Sequence, residues 1–279
     1  MTVRTVALGC AWALLLALGA AGCDSGPSGG AVWLPAAPNS GPATWSRERF
    51  LKATDRHPGT ATPGASPDGP DGPVGALFAS DAAGDHLCTA SVVDSPGRNL
   101  IVTAAHCLYD PGKGARGEPV FVPGYRAGDA PDGVWPLAAI TVDRSWAEHG
   151  NADLDVAFAV VQPMSGRQVQ QLLGANRLGT DPGYQQAVRL TGYPSPAGPP
   201  VGCANRTAEQ SAGQLRLNCP DHAAGAGGSP WVTGADPVTG AGTVIGVVGG
   251  YQQGGDTPGT SYSSYFGGAV RALFARATG

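Results

Sequence analysis

Charge is scarce in this chain. Only 14% of its 279 residues are charged, and 17 basic against 21 acidic side chains leave a formal charge of −4. No basic surface is available to track a phosphate backbone, which argues against nucleic acid as a partner. Zinc-type ligand spacing is missing too: there is no Cys-x-x-Cys and no paired histidine, so no metal and no other cofactor is expected. What the chain has in excess is glycine, 44 residues, and proline, 25, although a hydrophobic content of 42% is enough for a core. The excess is local, lying in residues 25–73 and in the turns of the C-terminal third. The length fits one domain or two, and two small barrels sharing an interface would fill it.

Arg4 precedes an uncharged run that contains ALLLAL and closes on Gly19, Ala20, Ala21 and Gly22 before Cys23. That pattern predicts a signal peptide over residues 1–22, with a retained membrane helix as the competing reading. The Ala-Ala-Gly-Cys ending resembles a bacterial lipobox, although Ala20 stands where leucine is usual. The resemblance implies acylation of Cys23 and a membrane-tethered, extracytoplasmic protein, with free secretion as the alternative. Residues 23–73 are mostly too poor in apolar side chains to offset the entropy of ordering and read as a tether, with a short helical piece over 45–53.

From Val74 onward, short apolar runs are separated by Gly, Pro, Asp and Asn, the spacing of an all-β barrel or sandwich. The clearest candidate strands are 74–78, 88–93, 100–105, 120–125 and 156–161, then, after a linker over 164–182, 187–193, 214–219, 230–233, 244–251 and 261–266. Val270, Leu273 and Phe274 share one helical face, which predicts a terminal helix.

Of six cysteines, Cys10 falls within the signal and Cys23 is the acylation candidate, leaving Cys88, Cys107, Cys203 and Cys219. Four cysteines allow three pairings, and export favours disulfides over a metal site. Pairing of near neighbours, Cys88 with Cys107 and Cys203 with Cys219, would close loops of about 15 to 20 residues. Each would contribute about 3 kcal/mol in the chain-entropy description.

Thr103-Ala104-Ala105-His106-Cys107 follows a strand, with Cys88-Thr89-Ala90-Ser91 upstream. These residues closely resemble the histidine motif of the trypsin-like serine peptidases, in which small residues let the histidine turn pack on the neighbouring strand and a disulfide fixes it from beneath. The resemblance covers residues 74–279. It implies two six-stranded antiparallel Greek-key barrels, over 74–165 and 180–266, with a terminal helix over 268–277. A buried carboxylate should hold the imidazole. Asp155-Val156-Ala157-Phe158 resembles the family's aspartate pattern, with Asp153 as the competitor.

The family's nucleophilic serine stands in a glycine-rich turn, Gly-Asp-Ser-Gly-Gly-Pro or Gly-Thr-Ser-Gly-Ser-Pro. Here the segment reads Gly225-Ala226-Gly227-Gly228-Ser229-Pro230-Trp231. Gly225, Gly228 and Pro230 fix the register, and Gly227 falls at the nucleophile position. The resemblance also assigns the oxyanion-hole donors to the N–H groups of Gly225 and Gly227. Residues 244–251 with the following glutamines resemble one wall of the substrate cleft, and Asp221 reads as an exposed turn residue. The implied protein is an exported serine-peptidase homologue that retains His106 and Asp155 but is catalytically inactive. It would act as a monomer binding a protein or peptide, and meet the membrane only through its anchor. The alternative is an active serine endopeptidase using Ser229. Two residues of extended chain span about 6 to 7 Å, however, whereas a base must lie within about 3.2 Å of its nucleophile.

Overall fold

The structure, a computed structural model, describes residues 30–36, 44–54, 72–194, 199–219, 226–257 and 259–279. The expected signal peptide, Cys10, Cys23, Asp221 and Gly225 lie outside them.

Strands β1 (Ala31–Pro35), β2 (Val74–Asp81), β3 (Gly84–Val93), β4 (Leu100–Thr103), β7 (Gly117–Pro123), β8 (Trp135–Asp143) and β9 (Ala157–Val161) make the first sheet, and the two-residue strands β5 (Tyr109–Asp110) and β6 (Gly114–Ala115) form a small ribbon beside it. The sheet order is β1-β8-β7-β2-β3-β4-β9, and a second pairing of β8 with β9 closes six of these strands into a barrel. Its strands are buried for most of their length because one face fills the barrel and the other is covered. The second sheet runs β10 (Arg177–Leu178), β15 (Thr243–Val247), β14 (Pro230–Thr233), β11 (Ala187–Gly192), β12 (Val201–Ser211), β13 (Gln214–Asn218) and β16 (Thr260–Ser264). It curls back on itself where Val247 N–H donates to Ser263 Oγ at 2.9 Å and Gly249 N–H donates to Tyr262 O at 2.9 Å. The two-barrel expectation therefore holds, with a seventh strand in the second sheet, β10, paired parallel to β15.

Helix α3 (Gly268–Thr278) leaves the second sheet and packs Val270 and Leu273 into the core shared with the first. Phe274 meets Phe158 of β9 edge-on, with ring centroids 5.4 Å apart. The chain's end thus ties the halves together through apolar burial and an aromatic pair.

Part of the stretch expected to be a tether is built into the domain. β1 pairs antiparallel with β8, Ala31 opposite Asp143 through Pro35 opposite Ala139. Helix α1 (Arg47–Lys52), capped by Ser46, drops Phe50 onto the barrel end. There Trp45, Phe50, Phe78, Tyr125 and Tyr193 form a run of aromatic contacts with centroids 4.6 to 5.9 Å apart. Arg49 lies over the Trp45 ring and pairs with Asp85 and Glu118, each at 2.7 Å. The helix is the short piece expected over 45–53, whereas composition alone misses the strand because its stability comes from the surface it covers. Among the described residues, no helix is long and apolar enough to cross a membrane.

Candidate functional site

β4 and β9 are neighbours, with Thr103 opposite Ala157. That register brings together the segments just beyond them: the one-turn helix α2 (Ala105–Leu108), which carries His106, and the 3-10 turn Ala152–Leu154, which ends at Asp155. Asp155 is fully buried and accepts three hydrogen bonds: from His106 N–H at 2.8 Å, from His106 Nδ1 at 2.8 Å and from Gly250 N–H at 2.9 Å. The carboxylate therefore fixes the tautomer, leaving Nε2 as the acceptor nitrogen. Asp153 is turned elsewhere, its Oδ1 accepting from Gln214 Nε2 at 2.8 Å.

Nε2 points at the glycine turn. Gly227 O accepts from Thr89 N–H at 2.7 Å, and Gly228 N–H donates to Val248 O at 2.7 Å, so the turn is clamped between the two sheets. Gly228 has φ +80°, and a side chain there would collide with Thr89 O and Thr103 Oγ1, so glycine is required. At Gly227 the constraint comes from the imidazole itself. A Cβ would lie 2.5 Å from His106 Nε2, 3.3 Å from its Cε1 and 3.3 Å from Cys88 Sγ.

No family model matches the chain, and no curated protein matches it. Solved structures do. A thermostable serine protease, AL20, from an extremophilic microorganism is 27% identical, with a TM-score of 0.67, over 75% of this chain and 98% of its own. The protease Anisep from Arthrobacter nicotinovorans is 22% identical, with a TM-score of 0.68, over 76% of this chain and 98% of its own. The scabies mite inactivated protease paralogue S-I1 is 14% identical, with a TM-score of 0.53, over 73% and 92%. The fold is that of the chymotrypsin-like serine proteases.

Within this protease fold both described disulfides join near neighbours, Cys88 to Cys107 with Cα atoms 6.1 Å apart and Cys203 to Cys219 with Cα atoms 6.0 Å apart. The first bridges β3 to α2 directly beneath His106. Ser229 is fully buried; its hydroxyl donates to Ala226 O at 2.6 Å and lies against Gly192. Its hydroxyl is thus bonded within the turn itself.

Two residues at the site escape a reading of the sequence. Gly250 supplies the third donor to Asp155, and Arg116, buried at 4% exposure, donates from Nε to His106 O at 3.2 Å. Neither carries a motif. The segment expected to form a cleft wall is regular only to Val247; beyond Gly250 it becomes a tight turn with Gln252 and Gln253 both left-handed, φ +52° and +51°.

Proposed function

We propose that this chain is an exported, membrane-tethered protease homologue that has lost peptide hydrolysis and works by binding a protein or peptide. The observation that carries the reading is the contact between Gly227 and His106. Position 227 offers no side-chain oxygen, and the imidazole occupies the room in which one would stand. Acyl transfer needs a nucleophile within reach of the base, and loss of the serine in another serine protease lowers turnover by about 10⁶.

The bonding of Ser229 supports this reading over a displaced nucleophile, because its hydroxyl is held by Ala226 O and is fully buried. A protein named as an inactivated protease paralogue shares the fold, so the scaffold persists in at least one chain described as inactive. Two disulfides fit an oxidising compartment, and the N-terminal apolar run ending at Cys23 fits export with an anchor. The test is hydrolysis of a broad peptide library by the purified chain beside its His106→Ala variant. Cleavage that the variant loses would overturn the proposal, and no cleavage by either protein is expected.

A further inference from the structure

Trp33 is the most exposed aromatic side chain among the described residues, at 61%, and it lies on β1, the outermost strand of the first sheet. Just ahead of that strand, Gly30 is the described residue nearest in sequence to Cys23. Its carbonyl accepts from Arg144 N–H at 2.7 Å. The exposed Arg144 side chain, which pairs with Glu148 at 3.6 Å, lies against it, and a Cβ on Gly30 would be 2.6 Å from Arg144 Nε. The strand register sets the end of the barrel at which this happens. Ala31 is opposite Asp143, Val142 opposite Ala157 and Ala157 opposite Thr103, so the chain enters at the end from which His106 and Asp155 emerge.

Chain length limits how far this end can stand from an acylated Cys23. Seven residue steps separate Cys23 from Gly30 and span at most about 25 Å. A domain of about 250 residues has a radius of gyration of about 18 Å, so it is wider than that reach. The end that carries Gly30 is therefore turned to the bilayer, with Trp33 about 10 Å further along the strand. Tryptophan suits a membrane–water interface because its ring is apolar and its N–H stays polar, and a guanidinium suits phosphate oxygens. A second copy of the chain, the other occupant of an edge strand, is disfavoured because β1 has only five residues and ends in Pro35.

We infer that the Trp33 edge of β1 docks on the phospholipid bilayer, with the indole at the boundary of headgroups and acyl chains and Arg144 beside it on the phosphates. The inference rests on the anchoring at Cys23 proposed above. A short tether gives effective concentrations of the order of mM. One aromatic contact too weak to recruit a free protein is thus populated once the chain is anchored, and it holds the His106 end of the barrel toward the lipid.

The experiment uses the full chain, acylated in a lipoprotein-processing bacterium and reconstituted into phosphatidylcholine vesicles with or without bromine on the acyl chains near the headgroup. Trp12 belongs to the expected signal peptide, and Trp45, Trp135, Trp146 and Trp231 are buried, so Trp33 is the ring open to a quencher. Brominated lipid should quench the wild-type emission, and Trp33→Phe should lose most of that quenching. Iodide in the water should quench the unanchored Cys23→Ala chain severalfold better than the vesicle-bound wild type. Intact mass reads the acylation of Cys23 in the same sample and so separates docking from anchoring. An acylated, vesicle-bound chain whose Trp33 is untouched by bromine and open to iodide overturns the docking and leaves the anchor standing. Trp33 closed to both quenchers in a chain that cross-links as a dimer gives the edge to a second copy and overturns the docking as well. A chain without the acyl group overturns both.

Discussion

The imidazole of His106 stands in the space that a side chain at position 227 would need, with Nε2 2.5 Å from where its Cβ would be. A side chain introduced at position 227 would therefore meet the ring. The ring is held from behind by Asp155 through both Nδ1 and its own backbone N–H, while Arg116 holds its carbonyl, so it cannot retreat without breaking hydrogen bonds.

Gly227→Ser is accordingly expected to strain the site rather than restore hydrolysis. Overpacking a closed interior costs about 1 to 3 kcal/mol. The melting temperature should fall, and ester hydrolysis should stay at the level of the parent chain. Activity that rises by orders of magnitude and vanishes when His106→Ala is added would show that the ring moves aside freely.

If hydrolysis is lost as proposed, Asp155 is expected to act chiefly in stability. Asp155→Ala leaves the donors from His106 and Gly250 unpaired in a fully buried place. Removing one partner of a buried charged network costs about 3 to 5 kcal/mol. Asp155→Asn keeps an acceptor oxygen and should cost less. Denaturant unfolding of the two variants gives the comparison, and near-neutral behaviour of Asp155→Ala would contradict the bonding described.

Asp81 should contribute a pH-dependent part of the stability. Burial works to raise its pKa, but the His86 side chain at 2.8 Å, the Ala83 N–H and the charges of His86 and Arg116 together hold the carboxyl well below the usual carboxylate range. A pKa lowered on folding means stability that is fully present above the unfolded-state value of about 4 and is lost as pH falls below it toward the folded-state value. Thermal melts from pH 6 down to pH 2 should show that decline, and Asp81→Asn should flatten it.

Much of the fold is legible in the sequence because the core strands are short apolar runs punctuated by turn residues, and because the histidine motif names its own disulfide. Two long strands are not. In β8, Pro136 near the start speaks against a strand, yet it sits opposite Val120 only at the strand's first turn of the ladder, where proline is tolerated. In β12 the residues Ala204, Asn205, Arg206, Glu209 and Gln210 face solvent, so there is no hydrophobic signal to read. At the site, the pairing of Asp155 rather than Asp153 with His106 follows from the apolar residues after it. The closing of the imidazole onto Gly227 is a tertiary fact with no local trace.

Cys23 carries the expectation of an anchor. Expressed in a bacterium that processes lipoproteins, the full chain should incorporate a labelled fatty acid and sediment with membranes, and Cys23→Ala should abolish the label. An unlabelled wild-type chain recovered from the medium would replace tethering by plain secretion.

The central claim, that no serine of this chain is activated by His106, is tested most directly with a fluorophosphonate probe, which bonds only to a hydroxyl set beside a working base and an oxyanion hole. The purified chain, checked for folding by circular dichroism, is incubated with the probe, and intact mass and peptide mapping are read out, with an active serine protease as positive control. The expected result is an unmodified chain. A stoichiometric adduct on Ser229, or on any other serine, that His106→Ala abolishes would contradict the account.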